Sequence, residues 1–207
     1  MQSYLKPYPL IAILRGVQNH EALEIAQVLY ELGLRCIEVP LNSPNALESL
    51  RLIAKHLPSD CLVGAGTVLE AAQVAQVLDA GGQLIVMPHS DSAVICAAKA
   101  AGLFCVPGVA TISEAFSALK HGADALKLFP ASSVAPAALS AWRDVLPKPN
   151  LCFPVGGIAP EQMAAYFQAG AAGFGLGGGL YKPGMSAQDV KIRAELYINE
   201  LKLIQKY

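Results

Sequence analysis

The segment Leu103–Phe129, LFCVPGVATISEAFSALKHGADALKLF, contains one complete unit of the pattern that decides the fold. Its first residues, Leu103–Val106, are apolar and predict a buried strand. Thr111 and Glu114 then have the spacing of a capping box, which predicts the start of a helix. Gly122 predicts the end of that helix. A second apolar run, Ala125–Phe129, follows it. The segment is therefore a predicted strand–helix–strand unit.

Eight apolar runs of this kind occur along the chain. They are predicted as strands at Leu10–Leu14, Cys36–Val39, Cys61–Ala65, Gln83–Met87, Leu103–Val106, Ala125–Phe129, Leu151–Val155 and Gly173–Leu176. Residues suited to helix N-termini lie between them, at Asn19, Asp91, Thr111, Pro160 and Ser186. The spacing of the runs leaves room for one strand, one helix and two short loops in each unit.

Strands that are apolar throughout are typical of parallel sheets buried on both faces. Eight strand–helix units in 207 residues predict the α/β class and a single (β/α)8 TIM barrel, formed by residues 1–207 as one domain. A doubly wound open sheet is the alternative. It usually has fewer strands, and the turn Leu14–Val17 carries no dinucleotide-binding fingerprint.

Composition excludes several classes of protein. Only 15% of the residues are charged and the mean hydropathy is +0.42, which excludes a disordered chain. The net charge is −1 and no basic run occurs, so neither nucleic acid nor an anionic membrane is an expected partner. The uncharged stretch Gln162–Tyr181 has the length of a membrane span, but its six glycines argue against one.

Cysteine and histidine usage predicts neither disulfides nor a metal site. Five cysteines form no CxxC pair and mostly lie in apolar runs, and four histidines lie far apart. We therefore expect reduced, buried thiols in a cytoplasmic protein without a metal or other cofactor. The apolar run Leu10–Leu14 is too short for a secretory signal.

Lys127 is the sharpest functional signal because it lies within the apolar run Ala125–Phe129. Burial lowers the pKa of a lysine, and a neutral amine can attack a ketone to form a Schiff base. The active site of a barrel of this kind lies at the carboxyl ends of its strands. A structural ion pair, or a lysine that points to solvent at the strand end, is an equally open alternative at this point.

Glu38 lies in a second apolar run, and a carboxylate beside an imine can move protons on and off the substrate. The alternative is that it only neutralises Lys127, although a buried ion pair is a costly way to gain stability, which favours function. Arg15 ends the first predicted strand and can bind a carboxylate through its two-pronged guanidinium, with the Thr67 hydroxyl beside it. The alternative for Arg15 is a solvated side chain at the end of a strand, and the alternative for Thr67 is a helix cap.

Glycine-rich turns follow the last two predicted strands, at Gly156–Gly157 and Gly177–Gly179. Turns at these positions bind phosphate in many barrels, because glycine lets backbone N–H groups approach an anion. Tight-turn geometry alone is the alternative. A lysine, a glutamate, a carboxylate site and a phosphate site together suit a phosphorylated keto acid.

Five segments also resemble a known family, the class I aldolases of 2-keto-3-deoxy-6-phosphosugar acids. They are Leu10–Gly16 (LIAILRG), Ile37–Pro44 (IEVPLNSP), Gly64–Leu69 (GAGTVL), Ala125–Pro130 (ALKLFP) and Pro154–Ile158 (PVGGI). The resemblance implies that Lys127 forms the Schiff base and that Glu38 is the general acid and base. It also implies a homotrimer that needs no metal or cofactor. The implied substrate-binding residues are Arg15, Thr67, Gly66, Pro88, Phe129, Val155, Gly156, Gly157, Gly177 and Gly178.

The resemblance extends to the C4 epimer of the substrate. Gluconate-type members commonly have an arginine and a threonine after the glutamate, in a pattern like EVTLRT, and a threonine at the position of Val155. This chain has Pro40, Asn42 and Ser43 after Glu38, like the galactonate type. It departs from the galactonate type at Gly178 and Gly179, where those members have serine and aspartate, so we expect weaker phosphate binding.

The expected reaction is reversible cleavage of 2-dehydro-3-deoxy-6-phospho-D-galactonate to pyruvate and D-glyceraldehyde 3-phosphate. Action on the gluconate epimer or on both epimers is the nearest alternative. A phosphosugar isomerase and a non-enzymatic phosphosugar-binding protein are the alternatives from other classes.

Overall fold

The structure is a computed structural model that describes residues 1–205. In this range the strands are β1 (Leu10–Ile13), β2 (Cys36–Pro40), β3 (Leu62–Gly66), β4 (Leu84–Val86), β5 (Phe104–Val106), β6 (Gly108–Val109), β7 (Leu126–Leu128), β8 (Cys152–Pro154) and β9 (Phe174–Leu176). The helices are α1 (Asn19–Glu31), α2 (Ala46–His56), α3 (Ala71–Asp79), α4 (Ser92–Ala100), α5 (Ile112–Lys120), α6 (Pro136–Val145), α7 (Pro160–Gln168) and α8 (Ala187–Ile204). Short 3-10 helices lie at Gln2–Leu5 and Ala131–Ser133.

Each of the eight predicted strands is confirmed. The fifth extends beyond its predicted end and is interrupted by a proline. The predicted run Leu103–Val106 forms β5, and the chain continues past Pro107 into β6. Proline has no backbone N–H and cannot donate to a neighbouring strand, so the ladder is broken at this residue. Its carbonyl oxygen still accepts a hydrogen bond from the N–H of Lys127 at 2.9 Å.

The strands form two parallel sheets, which confirms the predicted α/β class. Six strands pair in the order β5-β4-β3-β2-β1-β9, and three pair in the order β6-β7-β8. A single isolated parallel bridge joins Val155 to Gly175. The strand pairing within residues 1–205 therefore gives a curled sheet of six strands and a smaller one of three, rather than the one closed sheet of eight expected from the sequence.

The helix signals are confirmed at most positions. Asp91 caps α4 by accepting hydrogen bonds from two backbone N–H groups, and capping boxes begin α5 at Thr111 and α8 at Ser186. Helix α1 differs, because Asn19 is its first residue and Gln18 is the cap. Within residues 1–205, no helix combines the length and the apolar character needed to cross a membrane.

Successive side chains of a strand point to opposite faces of the sheet, and the candidate functional side chains point to the concave inner face. An apolar cluster that includes Ile13, Cys36 and Ala125 lies on this inner face, and a larger cluster lies between the sheets and the helices. Successive strand residues face opposite sides, so side chains two apart share a face. Glu38 and Lys127 lie two residues after Cys36 and Ala125, and both are buried.

Candidate active site

A cavity of about 410 Å³ opens at the carboxyl ends of the strands. Ten of the twelve predicted site residues line it, namely Arg15, Thr67, Pro88, Lys127, Phe129, Val155, Gly156, Gly157, Gly177 and Gly178. Residues far apart in sequence thus form one site, as expected where parallel strands end together.

The two other predicted residues, Glu38 and Gly66, are buried and are not among the residues that line the cavity. The lining also includes Gly179, which belongs to the predicted turn Gly177–Gly179, and Ile13 and Ile158, which sequence reasoning missed. Ile13 precedes Arg15 by two residues on the inner face of β1, so strand alternation carries the signal for it. Ile158 is the residue that directly follows the predicted turn Gly156–Gly157.

Lys127 projects into the cavity from β7, with only 3% of its surface exposed. Burial lowers the pKa of its amine, the nearby carboxyl of Glu38 opposes this effect, and the positive charge of Arg15 adds to it. Its Nζ atom lies 4.7 Å from the centre of the Phe129 ring. The neutral amine that a nucleophile requires is therefore easier to form here than in a solvated lysine.

Glu38 lies on the inner face of β2, where only 1% of its surface is exposed. Its Oε2 atom has no hydrogen-bond partner in the described chain. Burial raises the pKa of this carboxyl from 4.5 to about 7, although the charges of Lys127 and Arg15 act in the opposite direction. A carboxyl that titrates near neutral pH can both accept and donate a proton.

Lys127 and Glu38 do not form the structural ion pair that the sequence left open. The ion pairs within residues 1–205 join Arg35 to Asp60 and Lys99 to Asp124. A buried carboxylate oxygen without a partner is costly to stability, and such groups require an explanation other than stability. Lys127 and Glu38 are thus two buried ionisable groups that influence each other's pKa and are not joined by an ion pair.

The Glu38 carboxyl occupies the space where any other residue at position 66 would have its side chain. A Cβ atom built on Gly66 would overlap both carboxyl oxygens of Glu38. Strand β3 pairs with β2 beside this point, with Gly66 opposite Pro40. Gly66 is thus a neighbour of Glu38, and its lack of a side chain is what permits the buried carboxyl.

We expect Gly66→Ala to displace the Glu38 carboxyl and to lower kcat for the proposed cleavage by about 10–100-fold. Overpacking of a buried site typically costs about 1–3 kcal/mol, so the melting temperature falls as well. Steady-state kinetics and thermal unfolding measure both effects. The control is the double variant with Glu38→Gln. If Gly66 acts through Glu38, the double variant loses little more activity than Glu38→Gln alone, and fully additive losses would contradict this role.

Arg15 and Thr67 meet at the mouth of the cavity. The Nη1 of Arg15 donates to the Oδ1 of Asn42 at 2.7 Å, and its Nη2 donates to the Thr67 hydroxyl at 3.4 Å. Thr67 has a left-handed backbone with φ of +54°, which is uncommon for a β-branched residue and occurs mainly at functional sites. Asn42 as the residue that holds Arg15 was not foreseen from the sequence.

The two glycine turns present backbone N–H groups rather than side chains. In the described chain, no hydrogen-bond acceptor faces the N–H groups of Gly157, Gly178 and Gly179. A Cβ atom at Gly157, Gly177 or Gly178 would meet nothing within 4 Å, so the space beside these turns is open. Free N–H groups in a concave turn, with the N-terminus of α7 close behind, form a site for an anion.

The described residues include no group of three His, Cys, Asp or Glu side chains that could hold a metal ion. The chemistry available at the site is that of an amine, a carboxyl group, a guanidinium and backbone donors.

Comparisons with known proteins agree on one family. Residues 1–199 match the family described as "Aldolase: KDPG and KHG aldolase". The chain is 47% identical over 186 residues to a probable 2-dehydro-3-deoxy-6-phosphogalactonate aldolase of Rhizobium meliloti (strain 1021), covering 90% of this chain and 88% of the relative. It is 43% identical over 190 residues to the 2-dehydro-3-deoxy-6-phosphogalactonate aldolase of Escherichia coli (strain K12), covering 92% and 93%.

A solved structure described as native KDPGal superposes with a TM-score of 0.95 at 40% identity, covering 98% of both chains. Relatives with KHG/KDPG or phosphogluconate aldolase names match at 32–33% identity. The family match spans residues 1–199, which contain every residue of the cavity, and on this basis the chain belongs to the KDPG and KHG aldolase family.

Proposed function

We propose that the protein is a class I aldolase that cleaves 2-dehydro-3-deoxy-6-phospho-D-galactonate reversibly to pyruvate and D-glyceraldehyde 3-phosphate. The observation that carries the proposal is the buried amine of Lys127 in the cavity, with a lowered pKa. A binding protein has no need of such an amine, and an isomerase needs an acid and a base but no imine.

The reaction begins when the neutral Nζ of Lys127 adds to the C2 ketone of the substrate. The resulting carbinolamine takes up a proton from solvent and loses its hydroxyl group as water, which gives an iminium ion that can accept an electron pair. Glu38 takes the proton of the C4 hydroxyl, directly or through a water, and the C3–C4 bond breaks. Its electron pair passes into the iminium to give an enamine, and the C4 fragment leaves as the aldehyde.

The second half of the reaction restores the enzyme. Glu38 returns its proton to C3 of the enamine, which yields the iminium of pyruvate. Water then adds to C2, and Lys127 leaves as the free amine together with pyruvate. Arg15 and the Thr67 hydroxyl bind the carboxylate next to C2, and the two glycine turns bind the phosphate at the other end of the substrate. Pro88 and Phe129 form the walls between them.

We propose the galactonate epimer as the preferred substrate. Relatives named for that substrate share 43–47% of their residues with this chain, more than those named for the gluconate. Val155 lines the cavity, at the position where the gluconate type has threonine. A hydroxyl exchanged for a methyl beside the sugar hydroxyls separates two epimers by about 1–3 kcal/mol.

Pyruvate release from each epimer, with kcat/KM for both, tests this proposal. We expect the galactonate epimer to be cleaved faster, and Val155→Thr to shift the ratio toward the gluconate epimer by about tenfold. Val145→Thr makes the same exchange on an exposed helix residue and leaves the ratio unchanged. A gluconate preference in the unmodified protein would refute the epimer assignment, and release from neither would refute the aldolase.

We further propose that the two sheets are parts of one closed barrel of eight strands in a single domain of residues 1–207. Two observations support it: only Pro107 separates β5 from β6, and the Val155–Gly175 bridge lies between the other two edges. From the family resemblance we propose a homotrimer that takes part in galactose or galactonate breakdown. Five free cysteines, four of them buried, support a reducing, cytoplasmic location.

A further inference from the structure

Helix α8 carries one side chain that bonds to the turn Gly177–Gly179 and one that bonds to Ile158, the residue directly after the turn Gly156–Gly157. Arg193 Nη1 donates to the carbonyl oxygen of Gly179 at 3.0 Å and to that of Gly178 at 3.4 Å. Tyr197 donates its hydroxyl to the carbonyl oxygen of Ile158 at 2.9 Å. The two side chains are four residues apart, so they lie on the same face of the helix.

We propose that Arg193 and Tyr197 form a clamp that holds both glycine turns in the conformation that binds the phosphate of the substrate. The inference rests on the proposed function, and it makes both residues positioning residues that do not touch the reacting atoms. We call the pair the α8 clamp.

The clamp fixes the direction of the N–H groups through the planarity of the peptide bond. The carbonyl of Gly178 and the N–H of Gly179 belong to one trans peptide unit and point in opposite directions. Because Arg193 holds that carbonyl on the α8 side, the N–H of Gly179 is turned away from Arg193. This N–H has no acceptor within residues 1–205, so it is available to an anion.

Tyr197 holds the residue that follows the other turn. Its hydroxyl holds the carbonyl of Ile158, and the side chain of Gln162 accepts from the N–H of Ala159 in the same peptide unit. This unit is fixed at both ends where α7 begins. Only 4% of Tyr197 is exposed, and burial raises the pKa of its phenol, which keeps the hydroxyl protonated as a donor.

The clamp also accounts for a glycine that departs from the galactonate pattern. A Cβ atom at Gly179 would overlap the Tyr197 hydroxyl, so a larger residue there requires either the turn or the Tyr197 side chain to move. The turn Gly177–Gly179 has no side chains of its own and a high conformational entropy when free. Anchors on a long helix reduce the entropy lost when phosphate binds, which improves affinity without a new contact to the ligand.

The test compares a phosphorylated and an unphosphorylated aldehyde in the synthetic direction, with pyruvate saturating. We expect Arg193→Gln and Tyr197→Phe each to raise the KM for D-glyceraldehyde 3-phosphate by about tenfold, as for the loss of one buried or charged hydrogen bond. The KM for D-glyceraldehyde and the borohydride trapping of pyruvate remain within about twofold of the unmodified protein. Arg193→Lys restores part of the affinity, since it keeps a charged donor.

Two control variants separate the clamp from general stability. Tyr166→Phe removes another buried hydroxyl that donates to a backbone carbonyl, that of Ala131, and Lys191→Gln removes an exposed charge from the same helix. Neither control changes the ratio of the two KM values. Equal changes for both aldehydes in the clamp variants, or no change, would overturn the clamp. An unmodified protein that releases no pyruvate would overturn the proposed function, and the clamp with it.

Discussion

Replacing Lys127 with methionine stops pyruvate release, with a loss in kcat of at least about 10⁴-fold. The same variant is no longer labelled when pyruvate and borohydride are added together. Both results follow because the imine needs a nitrogen nucleophile, and burial lowers the pKa of this amine, which makes its neutral form easier to reach. Methionine keeps the length and apolar character of the lysine stem, so the shape of the cavity is retained.

The stability of the same variant distinguishes a reactive lysine from a structural one. If Lys127 were needed to neutralise Glu38, its removal would leave an uncompensated buried charge and cost about 3–5 kcal/mol. Lys127 is not ion-paired with Glu38 in the described chain, and a buried amine itself costs desolvation energy. We therefore expect Lys127→Met to melt at the same temperature as the unmodified protein or above it.

Lys120→Met is the matched control, because it removes an exposed lysine at the end of α5. It retains full activity and full labelling. Mass spectrometry of the trapped protein places the reduced pyruvate adduct on Lys127. Labelling that persists in Lys127→Met would show that another residue is the nucleophile. Activity of the unmodified protein without any labelling would favour an isomerase-type reaction.

The positions of Lys127 and Glu38 in the fold were predictable because strand alternation is a local property. Lys127 and Glu38 are isolated charges in apolar runs, and each lies two residues from another inward-facing side chain. The period of two along a strand is enough to direct both into the same interior. The regular spacing of the units placed every strand, and the carboxyl ends of the strands gave the position of the cavity.

Contacts between distant loops were not predictable from a single sequence. The bond from Arg15 to Asn42 joins two loops, and the α8 clamp joins a helix to turns 14 to 39 residues away in sequence. Such contacts depend on the conformations that the loops adopt once the strands have paired. Neither the periodicity nor the composition of the sequence encodes these conformations. Pro107 is an intermediate case, since its missing N–H was visible in the sequence but the resulting division of the strand was not foreseen.

Glu38→Gln lowers kcat for cleavage by about 10²–10⁴-fold, the usual contribution of a general acid or base. It keeps the amine of Lys127, so pyruvate and borohydride still label the protein. Exchange of the methyl hydrogens of pyruvate with solvent deuterium falls by the same factor as kcat, because this exchange requires a group that moves a proton at C3 of the enamine. NMR of pyruvate in deuterated water measures it.

The pH dependence follows from the direction of the pKa shift. Burial raises the pKa of Glu38 from 4.5 to about 7, so the folded protein binds this proton more tightly than the unfolded chain. The free energy of unfolding therefore falls as the pH rises from 4.5 to about 7, and Glu38→Gln removes this part of the dependence. In the unmodified protein, exchange at saturating pyruvate slows below about pH 7, where Glu38 is protonated and cannot accept a proton from C3.

Glu48→Gln makes the same change at an exposed position in the first turn of α2 and leaves both the exchange rate and its pH profile intact. Exchange at the full rate in Glu38→Gln would show that another group moves the proton. Loss of labelling in that variant would place Glu38 in the formation of the imine instead of the steps after it. The pair of readouts thus assigns the carboxyl to one step, because labelling reports the bond from nitrogen to carbon and exchange reports the proton at C3.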